Sequence, residues 1–157
     1  MASTLTGDDE RKISRILADL LKQSEADECM VCDAGGHVLA QESSGRGTDP
    51  FSISALGAGV FGASRQLAMI LGENEFSAVF HQGEKKSLFI RAIGEDTLLL
   101  SIFSDPDAIG LVKLYSEPAA KSLQTLFDNA GKRGAAVPTD DFRPFVLSKD
   151  ENIFQQT

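Results

Sequence analysis

The chain has 157 residues, of which 42% are hydrophobic and 24% charged, and its formal net charge is −8. This length and composition suit one globular domain with a hydrophobic core. The negative charge argues against nucleic acid or an anionic membrane surface as the main partner. We expect no apolar run to approach the roughly 20 residues that span a bilayer. Because the first residues also lack the pattern of a secretory signal, the sequence predicts a cytoplasmic protein without membrane insertion.

The N-terminal part predicts a helix followed by a β-hairpin. Apolar residues recur at three- and four-residue spacing over residues 8–24, which is typical of an amphipathic helix, and Thr6 is the predicted N-cap. Two strands are predicted at Glu28–Asp33 and at residues 38–41. A glycine pair between them, at residues 35–36, favours a tight turn.

A long apolar helix is predicted at residues 51–71, with Arg65 as its one charged residue. Asp49 or Ser52 is the expected N-cap, with Pro50 in the first turn. Gly72 is the expected C-terminal stop.

This helix carries both large and small apolar residues. The large ones recur at nearly helical spacing and predict a stripe that faces the core; they are Ile53, Leu56, Val60, Phe61, Leu67, Ile70 and Leu71. The opposite surface is predicted to be formed by small residues, namely Ala55, Gly57, Ala58, Gly59, Gly62, Ala63 and Ser64. Since Gly costs about 1 kcal/mol relative to Ala inside a helix, three glycines indicate a surface that another backbone approaches closely.

Three more strands are predicted at residues 76–82, 87–92 and 97–103. Short polar turns separate them, so neighbouring strands are expected to be antiparallel. The nearly continuous apolar run of the third strand predicts a central strand that is covered on both faces. The order helix, two strands, helix, three strands, helix predicts an α+β domain.

The C-terminal part predicts a last helix and a tail. The helix is expected to begin after Asp105, and Pro118 is expected to kink or split it near Leu114. From residue 132 the composition becomes polar and turn-forming. We therefore predict a folded domain over residues 1–131 and a flexible tail over residues 132–157. Near the end of this tail, Ile153 and Phe154 lie among acidic and polar residues and form a candidate docking motif.

Two short motifs resemble sites that bind nucleotides or metals. Residues 57–62 read G-x-G-x-x-G, but a dinucleotide site needs this motif directly after a buried strand. Here a polar loop and the start of the helix precede it, so we predict no nucleotide binding. Cys29 and Cys32 form a C-x-x-C, yet positions three apart in a strand point to opposite faces. Two buried apolar residues are therefore favoured over a redox pair or half of a zinc site.

No group of residues predicts catalytic chemistry, so we expect neither an enzyme nor a cofactor nor a metal. A small enzyme that uses Cys29 or Ser64 is the remote alternative. Arg65 could reach a phosphate group in another protein, as arginine fingers do. We favour the interpretation that Arg65 pairs with a carboxylate or keeps the helix soluble.

The element order and several short segments resemble the roadblock family of small dimeric α+β modules. The segments are residues 71–76, 80–83, 87–88 and 109–114, and the similarity covers about residues 9–127. Within the family, these segments are similar to the MglB-type bacterial regulators of the Ras-like polarity GTPase MglA.

The resemblance implies a five-stranded antiparallel sheet, with the second helix on one face and the first and third on the other. It also implies a homodimer with the two second helices side by side. Such a dimer binds one GTPase near its switch regions and accelerates GTP hydrolysis without inserting an arginine. The implied partner-binding residues are Ala58, Gly59, Gly62, Ala63 and Gln66. Arg65 is a further candidate on this surface, although it is bulkier than the resemblance leads us to expect. Ile153 and Phe154 are our hypothesis for a second contact. The alternative function is a roadblock scaffold or adaptor that tethers a GTPase or a motor component.

Overall fold

A computed structural model describes residues 5–74 and 76–136, which form three helices and five strands. The helices are α1 Gly7–Ser24, α2 Pro50–Leu71 and α3 Ile109–Ala136; the strands are β1 Glu28–Asp33, β2 Val38–Ser43, β3 Ala78–His81, β4 Ser87–Ile93 and β5 Thr97–Phe103. A short 3-10 turn leads into α3. The predicted αββαβββα order is confirmed.

The five strands form one antiparallel sheet in the order β2-β1-β5-β4-β3. β5 lies in the centre, and all seven of its residues are buried. This confirms the prediction that its apolar run belongs to a strand covered on both faces. β2 and β3 form the two edges of the sheet.

Alternate residues of each strand face opposite sides of the sheet. In β1, Cys29 and Val31 belong to the core cluster with α1 and α3, whereas Met30 and Cys32 belong to the cluster with α2. The two cysteines are free and buried on opposite sides, as predicted. Burial raises the pKa of Cys29 to about 12 and that of Cys32 to about 11, so both thiols stay protonated at neutral pH.

The side of the sheet under α1 and α3 is closed by a continuous core. Its fully buried side chains include Leu17 of α1 and Leu123 of α3. Thr6 caps α1 in a capping box with Asp9, and Arg133 of α3 forms an ion pair with the Asp9 carboxylate. These contacts hold the two helices together over the sheet.

Cap residues fix the ends of α2 on the other side of the sheet. The Asp49 carboxylate accepts a hydrogen bond from the Phe51 N–H at 3.1 Å, which confirms one of the two predicted N-caps. Gly72 adopts a φ of 78° at the C-terminal end, a conformation that glycine tolerates at little cost. The buried Glu28 carboxylate accepts hydrogen bonds from the Thr48 N–H and hydroxyl at 3.1 and 2.9 Å. Glu28 thereby ties the loop before α2 to β1.

α3 differs from its prediction because it continues through Pro118 as one helix. The predicted split is therefore wrong, since apolar contacts before and after the proline, at Val112 and Leu123, hold both halves on the same core; the predicted kink stays a prediction. The helix ends at Ala136, beyond the predicted domain boundary at residue 131. The rest of the predicted tail, including Ile153 and Phe154, lies outside the described residues.

Candidate protein-interaction surface

The inner surface of α2 packs on the sheet mainly through small residues. Four of its five buried residues are small, and Phe61 is the large one; the small ones are Ser54, Gly57, Ser64 and Ala68. A Cβ added at Gly57 would lie 2.6 Å from Leu100 Cδ2. Gly57 therefore permits a close approach within the chain, between α2 and the central strand β5.

The outer surface of α2 exposes most of the large apolar residues, contrary to the prediction of a stripe that faces the core. Their exposed fractions range from 55% to 80%, and they are Phe51, Leu56, Leu67, Met69, Ile70 and Leu71. The physical reason is that α2 is apolar around most of its circumference. Two stripes then share the helical period, and the sequence pattern does not say which of them meets the sheet.

One row of the outer surface has the spacing of a helix–helix seam. Leu56, Val60, Ala63, Leu67 and Ile70 follow one another at intervals of four, three, four and three residues. This repeat keeps side chains in line along a straight packing seam. Val60 is half-buried against the sheet-side core, whereas the other four are exposed. The row is therefore suited to receive a second helix.

The predicted partner-binding residues with small side chains lie mostly on this outer surface. Gly59 and Gly62 are exposed, and a Cβ at either position would meet no other atom within 4 Å. Ala63 and Gln66 are also exposed, whereas Ala58 is half-buried against the core. The structure thus brings four of the predicted residues together on one open surface, with Ala58 at its margin.

Arg65 is held against the domain at the flank of α2. Its Nη2 donates a hydrogen bond to the Glu95 carbonyl oxygen at 2.6 Å, and its guanidinium lies 5.3 Å from the centroid of the Phe61 ring. The partner is a backbone carbonyl in the β4–β5 turn and not the carboxylate that the sequence suggested. A side chain held in this way shapes the surface and is not extended like an arginine finger.

The geometry of the three glycines also explains why the G-x-G-x-x-G motif forms no phosphate cradle. Gly57 points into the sheet against Leu100, whereas Gly59 and Gly62 face open space. All three lie within α2, where the backbone N–H groups beyond the first turn are occupied by intrahelical hydrogen bonds. A nucleotide phosphate would need free N–H groups that converge on one point.

The composition of α2 corrects one expectation from the sequence. Its 22 residues, with a mean hydropathy of 1.2 over 18 of them, are long and apolar enough for a candidate membrane span. The expectation that no apolar run approaches this length was therefore wrong. Within the described structure α2 packs on the sheet through Phe61 and Ala68, and it presents its remaining apolar side chains outwards.

Comparisons with known proteins agree with this geometry. The Roadblock/LC7 domain family model matches residues 12–103. A comparison with curated proteins gave no match. Among solved structures, the chain is similar to Myxococcus xanthus MglB, with 29% identity, a TM-score of 0.74 and coverage of 80% of this chain and 95% of that one. With the same coverage of both chains, it is similar to the gliding protein MglB of Thermus thermophilus, with 28% identity, and to an MglB with a tetrameric arrangement, with 29% identity. The TM-score is 0.75 for each of these two structures.

Proposed function

Because this chain belongs to the Roadblock/LC7 domain family, as its sequence suggested, we propose that it is a homodimeric regulator of a small, MglA-like Ras-type GTPase. In this proposal it accelerates GTP hydrolysis by the partner and supplies no catalytic residue of its own. The observation that carries the proposal is the exposed apolar surface of α2. Large apolar patches on a folded domain mark sites of protein–protein interaction.

The large side chains of the seam row, at Leu56, Val60, Leu67 and Ile70, are the proposed contact with a second copy of the chain, and Ala63 is assigned to the GTPase contact. Leu56, Leu67 and Ile70 are 55% to 80% exposed, and each stabilises a contact by about 1.5–3 kcal/mol when fully buried. Two α2 helices lying side by side would cover these residues in both protomers. This arrangement agrees with the dimer that the family resemblance implies.

The small-residue surface is the proposed contact with the GTPase. Gly59, Gly62 and Ala63 present no side chain beyond Cβ, so the backbone of a switch loop can approach α2 closely. Gln66 adds one exposed polar group that can hydrogen-bond to this loop. The sheet beneath α2 provides a rigid support, and a regulator of this kind acts because it binds one state of its partner more tightly than the other.

Ala58 and Arg65 form the margin of this surface in our proposal. Arg65 is tethered to the Glu95 carbonyl, so stabilisation of the transition state would come from the GTPase's own residues after they are aligned by the contact. This feature agrees with a regulator that inserts no arginine. We also propose that Ile153 and Phe154 contact the GTPase and change nucleotide exchange.

The surface proposal is tested by placing a large side chain where the structure leaves space. Gly62→Arg and Ala63→Arg are expected to abolish GTPase binding while the circular dichroism spectrum stays that of the wild type. Gly110→Arg is the matched control, because Gly110 is also an exposed helical glycine with no atom within 4 Å of its Cβ position, but it lies on α3. If Gly62→Arg binds the GTPase as well as Gly110→Arg does, the proposed surface is wrong.

The tail contact is tested separately in the full-length chain. Ile153→Ser together with Phe154→Ser is expected to change GTPase affinity or the rate of nucleotide exchange. Unchanged values for both quantities would contradict this part of the proposal and leave the α2 surface unaffected.

A scaffold without effect on hydrolysis is the competing function, and it would use the same surface. Neither function requires a catalytic residue in this chain, so binding data do not separate them. The rate of GTP hydrolysis by the bound GTPase separates the two functions, since a scaffold leaves this rate unchanged.

A further inference from the structure

A groove between α1 and α3 lies on the side of the sheet opposite α2. Its volume is about 370 Å³, and its lining includes Asp9, Lys12, Arg15, Ile16, Leu126 and Arg133. Ile16 is half-buried and Leu126 is buried, and both belong to the packing around the α1–α3 core. The groove therefore has an apolar floor and charged walls.

The walls of this groove are basic although the chain as a whole is acidic. Three cations, Lys12, Arg15 and Arg133, line it together with one carboxylate, that of Asp9. Asp9 is already paired with Arg133 and accepts a hydrogen bond from the Thr6 N–H, and Lys12 is paired with Asp8 at 3.1 Å. Among the described residues, Arg15 forms no ion pair. On a protein with a net charge of −8, this groove is suited to an acidic ligand.

The positive charge is concentrated at one end of the groove. The groove continues along the same two helices into a second cavity of about 330 Å³, whose lining includes Asp19, Tyr115 and Pro118. Among the described residues, no lysine or arginine lines this second cavity. The basic end is the one near Arg133, close to the C-terminal end of α3. An acidic ligand would therefore bind beside the point where the chain leaves α3.

We propose that residues 140–145 of this same chain, Asp-Asp-Phe-Arg-Pro-Phe, dock in the basic end of the groove. The carboxylates of Asp140 and Asp141 would meet the cations of the walls, and Phe142 and Phe145 would cover the apolar floor. This docking is independent of the proposed GTPase function.

The length of the connection allows this docking. α3 ends at Ala136, three residues after Arg133, and residues 137–139 can span about 10 Å when extended. Pro138, which favours a turn or an extended conformation, is one of these connecting residues. A segment that turns back at this point runs along the groove in the direction of Ser122.

The test uses the full-length chain with a nitroxide spin label on one added cysteine, Val146→Cys. The native Cys29 and Cys32 are buried and carry raised pKa values, so the label attaches to the added thiol. We expect the NMR amide signals of groove residues, such as Thr125 and Asn129, to lose at least half of their intensity. The amides of Gly59 and Gly62 on α2 are expected to keep theirs.

Charge reversal separates docking from the proximity that the connection alone produces. Arg15→Glu is expected to restore at least half of the lost intensity at the groove, because it replaces a cation of the wall with a carboxylate. Arg11→Glu is the matched control: Arg11 lies on the same helix, is exposed and pairs with Asp8 at 3.7 Å, but does not line the groove. Asp140→Lys with Asp141→Lys tests the same contact from the tail and should also release the segment.

Three results would overturn the proposal. The first is intensity loss that is equal at the groove and on α2. The second is a loss that Arg15→Glu and the double lysine variant leave unchanged. The third result uses a mixed sample of a spin-labelled, unenriched chain and an unlabelled, ¹⁵N-enriched chain. If the amide signals of the enriched chain lose their full intensity in this sample, the groove holds the segment of a second copy.

Discussion

The two sides of the sheet differ in how completely the chain covers them. On one side, α1 and α3 bury Leu17 and Leu123 completely, and among the residues of these helices whose burial is described, Leu114 is the one large apolar residue with high exposure. On the other side, α2 alone covers the sheet, buries Phe61, and leaves six large apolar side chains exposed. The difference separates a side whose apolar residues the single chain buries from a side that leaves apolar surface open, where we propose that partners bind.

In the proposed function, this asymmetry also separates the part of the molecule that provides stability from the part that binds partners. Residues under α1 and α3 are expected to change the free energy of unfolding and leave association unchanged. Substitutions on the outer surface of α2 are expected to change association and leave the free energy of unfolding nearly unchanged. Substitutions on the two sides can therefore test the comparison directly.

The largest effect is expected in the α1–α3 core. Leu123→Ala removes a fully buried side chain and should lower the free energy of unfolding by about 2–5 kcal/mol, since lost burial and the remaining cavity both contribute. Urea denaturation measures this change. The affinity of the folded variant for the GTPase should stay at the wild-type value. A loss below about 1 kcal/mol, well under the usual range for such a truncation, would show that this side is not the main source of stability.

The next largest effect is expected for dimerisation through the seam row. Leu67→Asp combined with Ile70→Asp places two charges where apolar contacts are proposed. The dimer should weaken by about 3 kcal/mol, which is roughly a hundredfold in dissociation constant, while helix content is unchanged. Sedimentation velocity over a concentration series measures the dissociation constant. A double variant that remains as dimeric as the wild type would exclude this row as the interface.

The glycines within α2 give a smaller and more specific contrast. Gly57→Ala adds a Cβ 2.6 Å from Leu100 Cδ2. Overpacking of this kind costs about 1–3 kcal/mol, against a gain of up to about 1 kcal/mol in helix propensity. Gly62→Ala meets no atom within 4 Å and should stabilise the fold by about 0.5–1 kcal/mol. Urea denaturation of both variants at one protein concentration tests the contrast, and a Gly57→Ala variant that gains as much stability as Gly62→Ala would contradict the assigned faces.

The smallest expected effect is a pH dependence on the α1–α3 side. The Thr6 N–H, the Thr6 hydroxyl and Arg133 all favour the ionised form of Asp9, so the pKa of Asp9 is lowered. The stabilisation from this carboxylate is present above the ordinary Asp pKa of 3.8 and is lost as pH falls below it, through the lowered pKa. Asp9→Asn should therefore be less stable than the wild type at about pH 7, and the difference should shrink as the pH falls below 3.8. A stability difference that does not change with pH would contradict this account.

Much of the fold could be predicted because local signals and tertiary packing agree. Thr6, Asp49 and Gly72 occupy the cap positions that their side chains or conformational freedom favour. The apolar run of β5 indicated a central strand, and the spacing of Cys29 and Cys32 indicated opposite faces.

The remaining features depend on tertiary contacts that periodicity does not describe. α2 is apolar on both its inner and outer surfaces, so only packing against Leu100 reveals that Gly57 faces the sheet and Gly62 does not. Pro118 remains within α3 because the helix is held on both sides of it by the core. The contact of Arg65 with the Glu95 carbonyl joins positions 30 residues apart, and the sequence carries no local signal for it.

In the proposed function, this chain accelerates GTP hydrolysis by its partner through the outer surface of α2. The most direct measurement is single-turnover hydrolysis of GTP by an MglA-type GTPase from the same genome, alone and with the wild type, Gly62→Arg or Gly110→Arg. We expect the wild type and Gly110→Arg to raise the rate at least tenfold and Gly62→Arg to leave it at the value of the GTPase alone. An unchanged rate with a wild-type protein that binds the GTPase, or full stimulation by Gly62→Arg, would contradict the claim.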